Sequence, residues 1–329
     1  MCRTRCRVAG SDSLLCRRQP SHSNGGGRCR LAALVECVPN FSEGRRLEVV
    51  TEIADAIRDA GARVIDVQAD PSHNRMVVTF VSEPAIAVDA ALAGARIAVK
   101  RIDLRQHHGE HPRMGAVDVV PFVPFADLPM EVCIDLAHSF GARLWQELRV
   151  PVYYYGEAAT RPGRRELENV RRAGFEDLHE HIRDADREPD EGEAAVHPSA
   201  GATAVAARIP LIAYNVNLKT TDVRVAKDIA KTIRASSGGL PNVKALGFEL
   251  ADRGLVQVSM NLTDYRVTNI WKVFTVIRDE AQRRGVQVEA SEIVGTIPLA
   301  AAVGVVKDAV IEPAFRMDQI LEKRVWAGE

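Results

Sequence analysis

The sequence lacks both a strong charge imbalance and a long hydrophobic run. Lysine and arginine together number 43 and aspartate and glutamate 44, so the formal net charge is −1. Such a balance does not favour nucleic acid or an anionic membrane as a partner. The apolar run 297–306 ends at Lys307, well short of the roughly 18 residues that a membrane span needs. We therefore expect a soluble protein that acts on small molecules.

Cysteine is scarce in the body of the chain, where Cys37 and Cys133 lie in apolar segments. Two thiols are too few for a disulfide framework and indicate a reducing, cytoplasmic compartment. The other four cysteines fall within residues 1–30, which are rich in arginine, serine and glycine and contain a single acidic residue, Asp12. Because such a composition cannot bury a core, we expect residues 1–30 to form a disordered extension.

Three interpretations of residues 1–30 stay open: a flexible tail or wrongly assigned start, a targeting peptide, and a zinc-binding module. The arginine-rich, acid-poor composition suits a transit peptide, but residues 3–15 lack a clear amphipathic stripe. The four cysteines are separated by three, nine and twelve residues, unlike the paired CxxC motifs of common zinc sites. We therefore leave this extension out of the predicted fold.

From residue 31 onward, strand-like and helix-like apolar periodicities alternate. A helix that Ser42 caps and Gly61 ends follows the first strand. The other elements predicted in the first half are strands 34–38, 64–67, 76–81, 117–125 and 152–155 and helices 84–100 and 130–148. The first six elements follow the order βαββαβ, which is typical of a ferredoxin-like unit.

The same order returns in the second half of the chain. The predicted elements are strand 211–218, helix 222–235, strands 243–250 and 255–262, helix 267–284 and strand 286–290. We therefore predict an α/β (α+β) fold with two ferredoxin-like βαββαβ subdomains, whose mixed sheets face a substrate cleft. The subdomains are expected to span 31–208 and 209–329.

A loop rich in titratable side chains, 107–115, directly precedes the predicted strand at Val117. His111 has an ordinary pKa of about 6.5, so it can take up and return a proton near neutral pH. Arg113 offers a planar fork of donors to an anionic substrate group. Glu110 is suited to orienting the imidazole. These residue types point to acid–base chemistry on a bound anion.

Two other interpretations of this loop stay open. His107, Glu110 and His111 match the HxxEH pattern of inverted zinc proteases, which would make the loop a metal site. That pattern works only on a helix, and Gly109 within it and Pro112 after it disfavour one. Alternatively, His111 is a structural histidine on a solvated loop.

Five long stretches of the chain carry distinctive motifs. They are VECVPNFSEGRR at 35–46, GEHPRMGAVDVVPF at 109–122, VYYYGEAA at 152–159, HPSAGATAVAAR at 197–208 and IAYNVNL at 212–218. In this order and separation they resemble the glutamate formimidoyltransferase family. The resemblance implies two α/β subdomains around a cleft. It also implies transfer of a formimidoyl group from N-formimidoyl-L-glutamate to N5 of tetrahydrofolate, a step of histidine catabolism and one-carbon metabolism.

The resemblance implies site residues as well. The family's catalytic histidine stands in the EHPRMG motif and maps onto His111, as general base. Its folate-binding segment maps onto Gly192, Glu193, Ala194, Ala195, Val196, His197, Pro198, Ser199, Ala200 and Gly201. Tetrahydrofolate is then the co-substrate and no metal is expected; a homodimer is a candidate assembly. Further candidate substrate contacts, for which turn formation or capping is the alternative role, are Asn40, Asp70, Asn74 and Arg75.

The chain departs from the family at two places in the folate segment. Glu191, Gly192 and Glu193 stand where members carry an aromatic residue, glycine and proline, and Ala200 stands where some carry an aromatic. Fewer aromatic rings weaken stacking on folate. A non-catalytic folate-binding module is therefore an alternative. A glutamate/folate formyltransferase is another, because a formyl donor differs from a formimidoyl donor only by oxygen in place of NH. Because the sequence ends at Glu329, we expect it to lack the cyclodeaminase domain of bifunctional members.

Overall fold

A computed structural model describes residues 33–71, 73–109, 113–126, 128–171, 174–311 and 314–320. The extension predicted at residues 1–30 lies outside the described residues. Within them, no helix is long and apolar enough to cross a membrane.

The first unit is built on a mixed sheet of seven strands. These are β1 (Val35–Cys37), β2 (Asn40–Phe41), β3 (Arg63–Asp70), β4 (Arg75–Ser82), β5 (Val117–Pro124), β6 (Val152–Gly156) and β7 (Thr203–Ala207). Its helices are α1 (Leu47–Asp59), α2 (Pro84–Arg101), α3 (Met130–Leu148), α4 (Leu167–Arg171) and α5 (Gly174–His181). Strands β1 and β2 share one position between β4 and β5.

Strand pairing in this sheet confirms the ferredoxin-like prediction and extends it. The antiparallel part runs β3, β4, β1 with β2, then β5, which is the order a split βαβ unit produces. Strand β7 then pairs in parallel with β5 on one side and with β6 on the other. The sheet is therefore mixed, with its parallel part beyond β5.

The second unit is a sheet of four strands covered by helices on one face. Its strands are β8 (Ile212–Leu218), β9 (Val243–Leu250), β10 (Leu255–Leu262) and β11 (Val288–Val294), and its helices are α6 (Val223–Ile233), α7 (Ile270–Arg283) and α8 (Leu299–Ala309). The strand order is β11-β8-β10-β9, and each described pairing is antiparallel. The predicted two-subdomain α+β fold is thus confirmed.

Alternation along β10 shows how the second core forms. Val256, Val258 and Met260 are buried in the cluster that α6 and α7 cover, whereas Gln257 and Ser259 point to the other face. Burying one such apolar side chain contributes about 1.5–3 kcal/mol. The opposite, helix-free face of this sheet is therefore left for contacts with the first unit or with ligands.

Strand β7 is the main element that the sequence prediction missed. Its five residues, Thr203–Ala207, are all buried. Alternate residues belong to two different apolar clusters, one under α3 and one under α4 and α5. A strand buried on both faces shows no polar alternation, and alanine is uncommon in strands. The pattern therefore carried no strand signal.

The start of α1 also differs from the prediction that Ser42 caps it. The Ser42 hydroxyl instead donates to the carbonyl oxygen of Gly115 at 2.7 Å. The carboxylate of Glu43 accepts the three backbone amides that follow it, at 2.9 to 3.1 Å. A carboxylate thus satisfies the amides before the helix, and Ser42 is left to join this segment to the strand after the 107–115 loop.

The second unit touches the first at both edges of its sheet. Lys244, in β9, forms ion pairs with Glu166 at 2.5 Å and with Glu168 of α4 at 2.7 Å. Beyond β11, Gly295 lies against Asp66 and Gln68 of β3, since a Cβ there would be 3.7–3.8 Å from their side chains. Because Lys244 alternates with buried core residues, the helix-free face of this sheet is turned towards the first unit.

Candidate active site

The loop that carries the proposed base is described at its two ends. Glu110, His111 and Pro112 lie outside the described residues, whereas His107 to Gly109 and Arg113 are described. Groups from three neighbouring segments hold these two ends.

The first end is bound to the turn between β3 and β4. The ring Nε2 of buried His107 donates to the carbonyl oxygen of Asn74 at 2.8 Å, and Asn74 Nδ2 donates to the carbonyl oxygen of His108 at 3.1 Å. Gly109 lies directly on this turn, because a Cβ there would be 2.3 Å from the carbonyl oxygen of His73. Any side chain at position 109 would push the loop off the turn.

The second end is bound to α5 and back to the first end. Arg113 Nη2 donates to Glu176 at 2.7 Å and to the carbonyl oxygen of His107 at 3.0 Å. The amide of Phe175 donates to the carbonyl oxygen of Arg113 at 2.9 Å. Arg113 thus closes the loop on itself. This engagement competes with the predicted role of Arg113 as a holder of substrate anions.

A buried carboxylate, Asp118, organises the charges beside the loop. Its Oδ1 accepts the amide of Met114 at 2.9 Å, and its Oδ2 accepts from Arg75 Nη1 at 3.4 Å and from Arg171 of α4. Arg75 Nε also donates to the side chain of Asn40 at 3.2 Å. Burial and the neighbouring Arg171 cation lower the pKa of Arg75 to about 10, against the effect of Asp118. Arg75 therefore remains a cation at neutral pH.

These groups surround one small hollow that is open to solvent. Its lining consists of Ser42, His73, Asn74, Arg75, His107, Arg113 and Asp118. The predicted contact residues Asn74 and Arg75 therefore lie in it, and Asn40 reaches it through Arg75. Asp70 bonds within its own turn, accepting the amide of His73 at 2.9 Å.

The predicted folate segment, 192–201, divides into an accessible part and a buried end. Residues 192–199 are exposed or half-buried, whereas Ala200 and Gly201 are buried. His197 and Gly201 exchange two backbone hydrogen bonds, of 3.1 and 3.0 Å, and Nδ1 of His197 accepts the amide of Ala200 at 3.0 Å. The segment thus ends in a closed turn.

This turn is joined to the strand that follows the 107–115 loop. The amide of Ala116 donates to Ala200 and that of Ala202 to Met114, both at 2.9 Å. The two backbones are so close that a Cβ on Gly201 would be 2.1 Å from the carbonyl oxygen of Met114. The structure therefore brings the end of the predicted folate segment to the base of the loop that contains His111.

Two histidines lie near this junction, His107, which is buried, and His197, which is half-buried. Burial lowers the pKa of His107, with the hydrogen bond to Asn74 opposing and the Arg113 cation reinforcing that shift. Burial also lowers the pKa of His197. Both imidazoles are therefore neutral at pH 7, in keeping with Nδ1 of His197 accepting a backbone amide.

The residues at and beside the predicted folate segment that depart from the family pattern contact two aromatic side chains. The carboxylate of Glu191 accepts the hydroxyl of Tyr154 at 3.1 Å, so it is turned towards the protein, while Glu193 is exposed. Gly192 rests on the ring of Trp145, since a Cβ there would be 2.7 Å from a ring carbon. Trp145 is therefore an aromatic surface directly beside this segment.

The sequence prediction did not single out Asp118, Arg171, Glu176 or Trp145. Arg171 and Glu176 belong to a polar stretch, 161–197, that showed no clear periodicity, and they reach the site only because α4 and α5 fold back over the sheet. Asp118 stands within the GEHPRMGAVDVVPF motif, and its place beside that loop was the one sequence feature that could have identified it as a site residue. Within the described residues, no group of three or more His, Cys, Asp or Glu side chains is placed to hold a metal ion.

Comparison with known proteins places two family models along the chain. The N-terminal subdomain of the formiminotransferase domain matches residues 34–208, and the formiminotransferase domain matches residues 213–311. The glutamate formimidoyltransferase of Thermoplasma acidophilum is 48% identical over 296 residues, which are 89% of this chain and 97% of that protein. The glutamate formimidoyltransferase of Streptococcus pyogenes is 42% identical over 84% of this chain and 92% of its own. The formimidoyltransferase-cyclodeaminase of Rattus norvegicus is 45% identical over 82% of this chain, which matches 51% of that longer protein.

Proposed function

The chain belongs to the formiminotransferase family and is an enzyme of the formimidoyltransferase type, and on that premise we propose that it transfers the formimidoyl group of N-formimidoyl-L-glutamate to N5 of tetrahydrofolate. The products are 5-formimidoyltetrahydrofolate and L-glutamate. One observation carries the proposal: the described ends of the His111 loop and the Arg75 cation line one hollow, and the end of the 192–201 segment is hydrogen-bonded to Met114 and Ala116, directly after that loop.

His111 is the proposed general base. N5 of tetrahydrofolate attacks the formimidoyl carbon, and the new N–C bond forms as His111 takes the proton from N5. The bond from that carbon to the glutamate nitrogen then breaks, and the imidazolium returns the proton to the departing nitrogen. The same proton is taken and given back, so the reaction needs no further acid, base or oxidant.

The described residues support this role by holding the loop. Asn74 binds the described residues at its first end, and Arg113 closes its second end against α5, so both described ends of the loop are fixed. A general base must lie within hydrogen-bond reach of the proton that it removes. Anchoring both ends of the loop limits how far position 111 can move from the hollow.

Tetrahydrofolate is proposed to lie along the accessible part of the 192–201 segment, as co-substrate. Its attacking ring would then approach the His111 loop from the point where the buried end of the segment joins Ala116. Arg75 is proposed to face a carboxylate of the donor, because guanidinium and carboxylate groups pair through directed hydrogen bonds. Holding both substrates in one geometry can lower the barrier by several kcal/mol.

The full chain, tetrahydrofolate and N-formimidoyl-L-glutamate test the proposal. After acid treatment, absorbance of 5,10-methenyltetrahydrofolate reports transfer, and released L-glutamate should equal the transferred groups. A parallel reaction with N-formyl-L-glutamate separates the alternatives. Signal from the formyl donor alone would identify a formyltransferase, and tetrahydrofolate binding without turnover of either donor would identify a non-catalytic folate-binding module.

A further inference from the structure

The cluster around Asp118 contains one more cation than the proposed function uses. Arg171 enters from α4, 53 residues away in sequence, and donates to the same carboxylate oxygen as Arg75. The Asp118 side chain is 2% exposed, and the side chains of Arg75 and Arg171 are 18% and 14% exposed. One buried carboxylate oxygen is thus shared by two guanidiniums.

Because Arg171 shares this oxygen with Arg75, some of its N–H donors are left for another acceptor. Its Nε is buried and has no hydrogen-bond partner among the described residues. Buried donors in folded proteins are nearly always paired, so an unpaired one on a side chain bonded to Asp118, which lines the hollow, points to a ligand atom. A guanidinium that already points one nitrogen at Asp118 can offer the others to a second carboxylate.

The position of the cluster connects it to the reaction centre. Arg75 and Asp118 both line the hollow, and Asp118 is bonded to Met114, at the base of the loop that carries His111. Helix α4, which presents Arg171, also pairs with the second unit through Glu168 and Lys244. Arg171 therefore lies between the hollow and the second unit.

We propose that Arg171 and Arg75 together bind one of the two carboxylates of the donor, and that Arg171 thereby makes the enzyme specific for a donor that carries this carboxylate. Asp118 is a positioning residue, which holds both guanidiniums through a single oxygen. The inference rests on the proposed function, because it concerns the donor of that reaction.

The test compares kcat/KM for three donors in the unmodified protein and in Arg171→Gln. The donors are N-formimidoyl-L-glutamate and two analogues that each lack one carboxylate, N-formimidoyl-L-2-aminobutyrate and 4-(formimidoylamino)butanoate. Arg171→Gln should lower kcat/KM about 10- to 100-fold for the full donor, mainly through KM, because a charged partner is lost. The same loss should occur with one analogue, while the analogue that lacks the bound carboxylate should be unaffected.

Arg165→Gln is the matched control, since Arg165 is an exposed arginine near α4 whose side chain pairs with Glu157. It should behave as the unmodified protein with all three donors. Equal losses with all donors in Arg171→Gln, or no loss with any, would overturn the inference. If Arg171→Gln fails to fold, Arg171→Lys takes its place. It must show the same dependence on the donor, with a smaller loss of kcat/KM. Absence of turnover in the unmodified protein would instead count against the proposed function. Calorimetry would then still test the site, because Arg171→Gln should weaken the binding of L-glutamate.

Discussion

Asn74 has a backbone φ of 48°, in a left-handed region that asparagine tolerates better than most residues. Its side chain accepts the amide of Gly44 at 3.0 Å and donates to His108, and its carbonyl oxygen accepts from His107. One turn residue thus connects the segment before α1 with the loop that contains His111.

Replacing Asn74 by alanine should lower the free energy of unfolding by about 2–4 kcal/mol. Two hydrogen bonds with buried or half-buried partners are lost, and alanine resists the left-handed backbone. Asn74→Gly loses the same hydrogen bonds without that backbone cost, so it should be about 1 kcal/mol more stable than Asn74→Ala. Urea unfolding measures both variants. Unchanged unfolding midpoints would show that this turn does not anchor the loop.

Buried His107 and half-buried His197 predict how stability responds to acid. Burial lowers the pKa of His107 and of His197 in the folded protein, whereas the unfolded chain keeps the ordinary value of 6.5. Above that value both states are neutral and neither histidine affects stability. As the pH falls below it, the unfolded chain takes up protons first, so the free energy of unfolding decreases down to the lowered folded pKa. Urea midpoints should therefore fall as the pH is lowered through 6.5, and a midpoint that stays level or rises would contradict this assignment.

At the scale of elements, the crossing of residues 114–116 with residues 200–202 joins the two motifs of the site. Gly201 has a φ of +72°, and a Cβ there would be 2.1 Å from a backbone oxygen, which cannot move aside as a side chain would. Gly238 has a similar φ of +82°, but a Cβ at that position would have no atom within 4 Å. Comparing alanine substitutions at Gly201 and Gly238 therefore separates the cost of a left-handed backbone from the cost of close packing.

Gly201→Ala should therefore destabilise the protein by more than about 3 kcal/mol, whereas Gly238→Ala should cost only about 1–2 kcal/mol for its backbone conformation. Thermal unfolding of the two variants provides the comparison. Gly201→Ala should also lose turnover, because the strand that follows the His111 loop is displaced. Equal destabilisation by both substitutions would mean that the crossing is not tightly packed.

Elements with a strong periodic pattern could be predicted to within a residue or two. Helix α3 was expected at 130–148 and observed there, because its buried residues recur at helical spacing after Pro129. Strand β10 was likewise expected at 255–262 and observed there, because buried and half-buried residues alternate. The sequence did not predict strand β7 for the opposite reason, since both of its faces are buried and four of its five side chains are small.

On the scale of the whole molecule, two units with the same topology have different surroundings. The first sheet is buried on both faces beyond β5, under α3 on one side and under α4 and α5 on the other. The second sheet has one helix-free face, which the Lys244 ion pairs turn towards the first unit. These pairs are largely exposed, so they contribute at most about 1 kcal/mol to stability.

Contacts across the molecule explain which parts of the site the sequence could not predict. The motifs located the His111 loop and the 192–201 segment, but not that they meet through Met114 and Ala200. The pairing of Asp118 with Arg171 joins positions 53 residues apart, and no local pattern records it. Such pairs depend on how α4 and α5 return over the sheet.

Comparing His111→Asn with His108→Asn tests whether His111 is the base of formimidoyl transfer. Both remove an imidazole from the same loop, and His108 is an exposed neighbour whose backbone carbonyl, not its ring, holds the loop. We expect His111→Asn to lower kcat about 100- to 10,000-fold at an unchanged melting temperature, the range that a general base contributes. His108→Asn should keep kcat. Normal kcat in folded His111→Asn would contradict the claim.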